Sequence, residues 1–423
     1  MEDLVKKPKL DAKAKSVIAV VVMFGIISCF GDVIYEGGRS ANGQYFNLLS
    51  ISATKVGIIY GIGEFLGYAL RLLSGRISDK TGKHWVLIFI GYGTLCVVPL
   101  MGLTTNWTIL CALVLLERIG KALRNPPKDT ILSQVAENHV GTGFVFGLQE
   151  ALDQLGAFAG PLVFTFVFLL SGKNDAAAYQ LGYKILIVAF ALVMGSVYVA
   201  YRRVSRYNLT REGESIERGS DKLTSVFWIY CVFAFLSTFG FVAFSIIGYH
   251  LKDKGVMPDS QITLMYSIAM IVDAIMAMII GRIYDVIKKK RNNKKAGLLT
   301  LIFIPFATLA MPFLTLSEDR WLVVAGFVMF GIIMGAHETI MRSAIADITS
   351  FRKRGTAYGI FNCAYGLAFL AGSSLMGWMY DHMSILSIGI LVIAIEAAAL
   401  GVFFVMRRSI NKVDAPQAPA PQA

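Results

Sequence analysis

The chain of 423 residues is 56% hydrophobic and only 16% charged, where soluble domains carry about a quarter charged residues. Folded in water, so apolar a chain would expose patches that drive aggregation, which excludes an ordinary soluble enzyme and leaves lipid as its natural solvent. The net charge of +12 sits in short clusters between long apolar runs, the pattern of membrane-protein loops and not of a nucleic-acid partner.

A helix needs roughly 20 apolar residues to cross the hydrocarbon core. After a basic arm over 1–15, spans are expected at 16–38, 54–75, 84–104, 107–126, 143–170 and 179–201, an N-terminal six-helix bundle over 16–201. The first apolar stretch is too long for the core of a cleavable signal peptide. Residues 202–222 are the most polar stretch and read as a cytoplasmic linker. A C-terminal bundle over 223–408 follows, with spans at 223–250, 260–282, 296–316, 321–345, 355–378 and 384–406. The tail over 409–423 ends in Ala-Pro-Gln repeats and is expected to be disordered.

Lys and Arg fix the orientation. About 29 basic residues fall on the side of the N-terminus, against five opposite: Lys55, Lys173, Lys252, Lys254 and Arg320. Both termini are therefore expected in the cytoplasm. The halves also repeat. Gly75-Arg76-Ile77-Ser78-Asp79 follows the second span and Gly281-Arg282-Ile283-Tyr284-Asp285 the eighth. Gly143 to Gly147 opens the fifth span and Gly355 to Gly359 the eleventh. Matching segments at equivalent spans imply duplication of a six-helix unit, an architecture transporters use around a midplane site.

A charge at the bilayer centre costs at least about 2.5–3.5 kcal/mol, so charged residues in spans face the protein interior or a cavity. Asp32, Glu36 and Arg39 share one face of the first span, beside Tyr35. The second holds Glu64, Tyr68 and Arg71; the fourth Glu117 and Arg118, then Lys121 and Arg124; the fifth Gln149, Glu150, Asp153 and Gln154. The second half offers Asp273, then His337, Glu338 and Arg342, with Asn362 in the eleventh span. A carboxylate that binds and releases a proton as access alternates is the functional reading, with Glu64, Asp153 and Glu117 first in that order and Asp32 and Glu36 behind. Permanent pairing that fixes helix packing is the competing one, with Arg118, Arg71 and Arg39 as partners. Tyr35, Tyr68, Glu150, Asp273, His337, Glu338 and Asn362 are the candidate cavity residues. The excess of acids leans toward a cationic or zwitterionic solute. Tyr45, Tyr60, Phe239, Phe241, Tyr249, Tyr266 and Tyr365 are candidates for a cavity wall, though each is singly more expected at lipid or the interface.

Gly75-Arg76-Ile77-Ser78-Asp79-Lys80-Thr81-Gly82-Lys83 resembles the loop signature of the major facilitator superfamily, at its expected place between spans two and three. The resemblance implies an all-α membrane protein of twelve helices in two pseudo-symmetric halves, with Gly75, Asp79, Lys80, Gly82 and Lys83 as a conformational latch. In the second half Asp285 is followed by Val286-Ile287-Lys288 and the signature is incomplete. Arg118 looks like the superfamily's buried arginine, and Gly156-Ala157-Phe158-Ala159-Gly160-Pro161 like the motif common in its antiporters. Tyr35-Glu36-Gly37-Gly38-Arg39 and the stretch from Glu117 to Asp129 are similar to a prokaryotic subgroup, which implies a bacterial or archaeal cytoplasmic membrane.

Other motifs fail. Gly61, Gly63 and Gly67 lie inside a membrane helix, where close packing explains them. No phosphate-binding loop of the Walker type is present, so the chain does not drive transport with ATP itself. His337 lacks the second histidine of a zinc-hydrolase motif and reads as a polar helix contact, with substrate or transition-metal binding as the alternative. Cys29, Cys96, Cys111, Cys231 and Cys363 form no CxxC pair, so no metal site or cofactor is implied. The leading expectation is a monomeric secondary active transporter working by alternating access, with proton-coupled efflux of a small organic compound. Uptake by proton symport and export of a metal ion or chelate are alternatives. A membrane-embedded enzyme or lipid-handling protein would need a nucleophile–base pair or metal cluster that the sequence does not offer.

Overall fold

The computed structural model describes residues 12–137, 142–207, 223–349 and 354–413, which form helices and turns without a strand. The arm to residue 11, linker residues 208–222 and the tail from 414 lie outside them. Twelve long helical spans run in order: α1 Ala12–Leu48, α2 Ala53–Thr81, α3 His84–Leu103, α4 Trp107–Glu137, α5 Thr142–Ser171, α6 Ala176–Tyr207, α7 Ser225–Asp253, α8 Asp259–Arg291, α9 Lys295–Thr315, α10 Arg320–Ile348, α11 Arg354–His382 and α12 Ile385–Val413. Eleven are long and apolar enough to cross a membrane. The remaining one, α4, has the length at 31 residues but carries Glu117, Arg118, Lys121, Arg124 and Lys128 within it. The outer surface is apolar, with Leu170 at 87% and Trp321 at 78% exposure, which suits lipid and not water.

Helices outrun the apolar stretches. α8 continues past Gly281 to Arg291, and its last turn holds Lys288, Lys289, Lys290 and Arg291, cations that favour the negative end of the helix dipole. Asp319 starts α10 by accepting from the amides of Trp321 (2.8 Å) and Leu322 (3.0 Å). One span differs in kind from its prediction. The seventh, expected as continuous over 223–250, breaks: a helix to Phe239 stops, and a new one starts at Phe244. α10 contains a π-helical turn at His337–Met341, a distortion that often marks functional positions.

The spans group into two compact units: the chain to Ala41 with Leu70–Ile216, and Asn42–Ala69 with the chain from Glu217. In the first, a Cβ on Gly160 of α5 would strike Gly37 N of α1 at 2.7 Å, so glycine is what lets the two backbones touch. The second contains the hairpin joining α1 to α2, which sequence reasoning had assigned wholly to the N-terminal bundle. Its Gly57 carbonyl accepts from Ser373 Oγ of α11 at 3.0 Å. Asp381 of α11 accepts from the Ala53 and Thr54 amides at 3.1 and 2.7 Å, capping the start of α2.

Candidate functional site

In the first unit, α1, α4 and α5 bring charges together. α4 presents Arg118, Lys121, Arg124 and Lys128 at helical spacing. Tyr35 of α1 is their meeting point. Arg118 Nη1 donates to its hydroxyl, the Arg118 guanidinium lies 4.7 Å from its ring centroid, and Lys121 Nζ lies 3.4 Å above that ring; cations over an aromatic face are attracted by its quadrupole. Glu117 is ion-paired with Arg118 (3.4 Å) and Arg124 (3.9 Å). Arg124 also donates to Gly91 O of α3 at 3.2 Å. Glu36 pairs with Arg39 at 3.5 Å. Lys128 donates to Ser28 Oγ at 3.0 Å, and Gln149 of α5 bonds both Ser28 and, at 3.2 Å, Asp153.

Asp32 stands apart. It lies within electrostatic range of Asp153, Lys121, Glu36 and Lys128, yet it makes no hydrogen bond or ion pair among the described residues. The acids therefore divide, with Glu36 and Glu117 held by arginines and Asp32 unclaimed. The excess of acids seen in sequence also disappears: Asp32, Glu36, Glu117 and Asp153 face Arg39, Arg118, Lys121, Arg124 and Lys128, because Lys121, Arg124 and Lys128 turn to the same cluster. Glu150 is exposed and accepts only from Gln154 at 3.4 Å, so it does not join. Arg71 is half-buried on α2.

In the second unit the focus is Tyr365 of α11, which is 8% exposed. Its hydroxyl shares a hydrogen bond with His337 Nδ1 at 3.2 Å. Tyr68 of α2 packs edge-on against it with centroids 5.0 Å apart, and Glu64, Glu338 and Arg342 lie within its electrostatic range. Gly366 makes this possible, because a Cβ there would come within 3.2 Å of Tyr68 Cβ. The Phe241 ring is tilted against His337, with centroids 5.5 Å apart, and edge-on to Phe369 at 5.9 Å. His337 is 3% exposed and its Nε2 has no hydrogen-bond partner among the described residues. Phe241 begins the break in α7 and His337 begins the π-turn of α10, so both irregular backbones feed this cluster. Asp273 is buried where α10 presses on α8 at Gly335, and Asn362 is half-buried one turn before Tyr365. Of the aromatic candidates for a cavity wall, Tyr35, Tyr45, Tyr60, Phe241, Tyr249, Tyr266 and Tyr365 are buried inside the protein and not at lipid, while Tyr68 and Phe239 are half-buried.

The latch region is partly visible. Gly75 approaches α4, with Pro126 Cβ 3.6 Å from where its Cβ would be, and Gly281 approaches α10 at Thr339 in the same manner. Gly82 ends α2 at φ +66, its amide bonded to Ser78 O at 2.9 Å; that left-handed conformation favours glycine. Lys80 and Lys83 are exposed, and the Asp79 side chain lies outside the described residues. In the second half Asp285 is exposed, and the α8–α10 closure is made by Lys288 and Tyr284, both bonded to Asp347 (2.9 and 2.7 Å). Gly156 packs on Cys29 and Gly160 on Val33 and Gly37, so the glycines of the antiporter-like motif seat α5 on α1, while Pro161 O accepts from Thr165 Oγ1 within α5.

Sequence reasoning missed Glu396. It is 0% exposed on α12, packs against Gly240 at the α7 break, and neither carboxyl oxygen has a hydrogen-bond partner among the described residues. Its signal was present, as the lone acid in the span 384–406.

Comparison with known proteins places this geometry. An uncharacterized protein of Mycobacterium tuberculosis is 32% identical over 394 residues, covering 92% of each chain. An uncharacterized MFS-type transporter of Methanocaldococcus jannaschii is 25% identical over 369 residues, covering 85% of this chain and 88% of its own. A bacterial homolog of the human lysosomal transporter Spinster, solved inward-facing and unoccupied, has the same fold at 14% identity, with a TM-score of 0.70 over 96% of this chain and 99% of its own. The sequence pattern of the Major Facilitator Superfamily matches residues 18–341 and 259–422, and with twelve helical spans behind that match the chain belongs to this superfamily of membrane transporters.

Proposed function

We propose that the protein is a proton-coupled secondary transporter that works by alternating access and exports a small zwitterionic organic compound, with both termini in the cytoplasm. The observation that carries this reading is Asp32, an acid among two other carboxylates and two lysines that makes no hydrogen bond or ion pair among the described residues. An ion-paired carboxylate has little reason to exchange a proton, whereas one poised between opposite charges changes state when its surroundings change. This moves Asp32 ahead of Glu64, Asp153 and Glu117 as the coupling group. A cluster of both signs favours a solute of both signs over a simple cation. Within the second unit, His337 Nε2 has no hydrogen-bond partner among the described residues and sits in aromatic walls, an arrangement that by itself suits an organic group. Export of a bare metal ion has less support, since among the described residues no three His, Cys, Asp or Glu side chains could hold one. Export over uptake rests on the resemblance of Gly156 to Pro161 to the motif common in the superfamily's antiporters, and vesicles of known orientation measure the direction.

The test is substrate-induced proton movement in reconstituted vesicles of known orientation, screened over zwitterionic, cationic and anionic compounds. Asp32→Asn is expected to abolish proton movement while counterflow exchange of the same solute persists. Wild-type proton movement in Asp32→Asn removes the residue from the coupling role.

A further inference from the structure

At one end of the second unit, α8, α9 and α12 enclose a cavity of about 390 Å³. Its polar wall is cationic: Arg291 from the end of α8, Lys295 from the start of α9 and Arg407 from α12, with no acidic side chain lining it. Its floor is apolar, made by the half-buried Leu299 and by Ile410 over the buried Phe403 and Met406. The backbone explains the wall. Asn292 adopts a left-handed conformation (φ 47) that stops α8, and the Asn293 side chain accepts from the Lys295 amide at 2.8 Å to start α9. The reversal therefore sets Arg291 from the end of α8 and Lys295 from the start of α9 on the same space. Arg291 and Arg407 are exposed and have no ion pair among the described residues.

Depth in the bilayer follows from α12. Phe404 and Val405 are 48% and 52% exposed apolar side chains, which belong in hydrocarbon, while Arg407 and Arg408 follow within one turn. The cavity thus spans the level where acyl chains give way to phosphates. An inorganic anion would use the cations but has no use for the floor, and a neutral sterol would use the floor but not the cations. Basic pockets between membrane helices at the headgroup level bind anionic headgroups.

We propose that this cavity binds an anionic glycerophospholipid, its phosphate held by Arg291, Lys295 and Arg407 and the root of an acyl chain laid on Leu299 and Ile410. The bound lipid bridges the end of α8 to α12 through the start of α9.

The experiment is native mass spectrometry of the full chain, delipidated and then titrated with phosphatidylglycerol or phosphatidylcholine of identical chains. The wild type is expected to bind one phosphatidylglycerol at least tenfold more tightly than phosphatidylcholine. R291Q/K295Q/R407Q removes that preference. K289Q/K290Q/R408Q takes the same charge from neighbouring exposed positions and keeps it, as does the charge-conserving R291K/R407K. Melting temperature in neutral detergent, without added lipid, identifies any variant that fails to fold; R407Q alone, at an exposed position, then serves in place of the triple variant and is expected to weaken the preference. The proposal is overturned if both triple variants lose the preference equally, which would mean diffuse surface charge, if the wild type shows none, or if millimolar inorganic phosphate displaces the lipid as well as excess phosphatidylglycerol does.

Discussion

In the first unit polar groups are held by charge: Arg118, Lys121 and Tyr35 form a stack, and Glu117 is shared between two arginines. In the second they are held by rings: His337 and Tyr365 share one hydrogen bond inside a wall of Phe241, Phe361 and Phe369. A buried charge cluster is stable only while each member keeps its partners, since removing one leaves another stranded in a low-dielectric medium. An aromatic cluster tolerates loss of a single polar atom better and adapts to a guest. The contrast teaches that duplication of a six-helix unit leaves the helix plan intact while the chemistry placed on it diverges.

The contrast makes unequal demands on substitutions. The largest effect is expected for Arg118→Leu, which leaves Glu117 without its nearer arginine and takes the Arg118 donor from the Tyr35 hydroxyl; a loss of about 3–5 kcal/mol is expected from breaking such a pair, read as a lowered melting temperature. The Arg118→Leu/Glu117→Leu double variant should recover part of it, and a double variant no more stable than the single one would show that the pair is not what holds α4. Next comes Gly160→Leu, whose side chain has no room against Val33 and Gly37. Overpacking there should cost the upper part of about 1–3 kcal/mol, visible by size-exclusion profile, whereas Gly195→Leu, with nothing within 4 Å of its Cβ, should behave as wild type. Tyr365→Phe removes one hydrogen bond, worth about 1 kcal/mol, and is expected to weaken solute binding more than it lowers the melting temperature. A stability loss as large as that of Arg118→Leu would erase the distinction between the units. The smallest effect is expected for Lys288→Met. Its pair with Asp347 is 26% exposed on the lysine side and should contribute about 0.5 kcal/mol, measured by thermal unfolding.

Much of the fold was legible in one dimension. The apolar runs marked twelve spans at nearly their observed positions, and Gly75 and Gly281 showed the duplication before their shared contacts with the fourth and tenth spans were seen. The break in α7 was not legible, because Gly240 in an apolar run looks the same whether a helix continues or stops. The site was legible as a set of residue types but not as a set of partners. Glu64, first in line as a coupling acid, lies within electrostatic range of Tyr365 in the second unit, and Asp32, behind it in the sequence reading, is the acid of the first unit's cluster with no hydrogen bond or ion pair among the described residues. Lys128 and Glu396 went unweighed although both were in plain view.

What the amino-acid order determined alone is the solvent of the protein, its span count, its duplication and its superfamily, because these depend on hydropathy, loop charge and motifs that are properties of short segments. What the tertiary structure decided is pairing. Whether a buried acid meets an arginine, a ring or nothing depends on which face of one helix meets which face of another, and helices distant in sequence choose those faces through glycine contacts such as Gly37 on Gly160 and Gly57 on Ser373. Local sequence sets each helix's faces; only packing selects the neighbour.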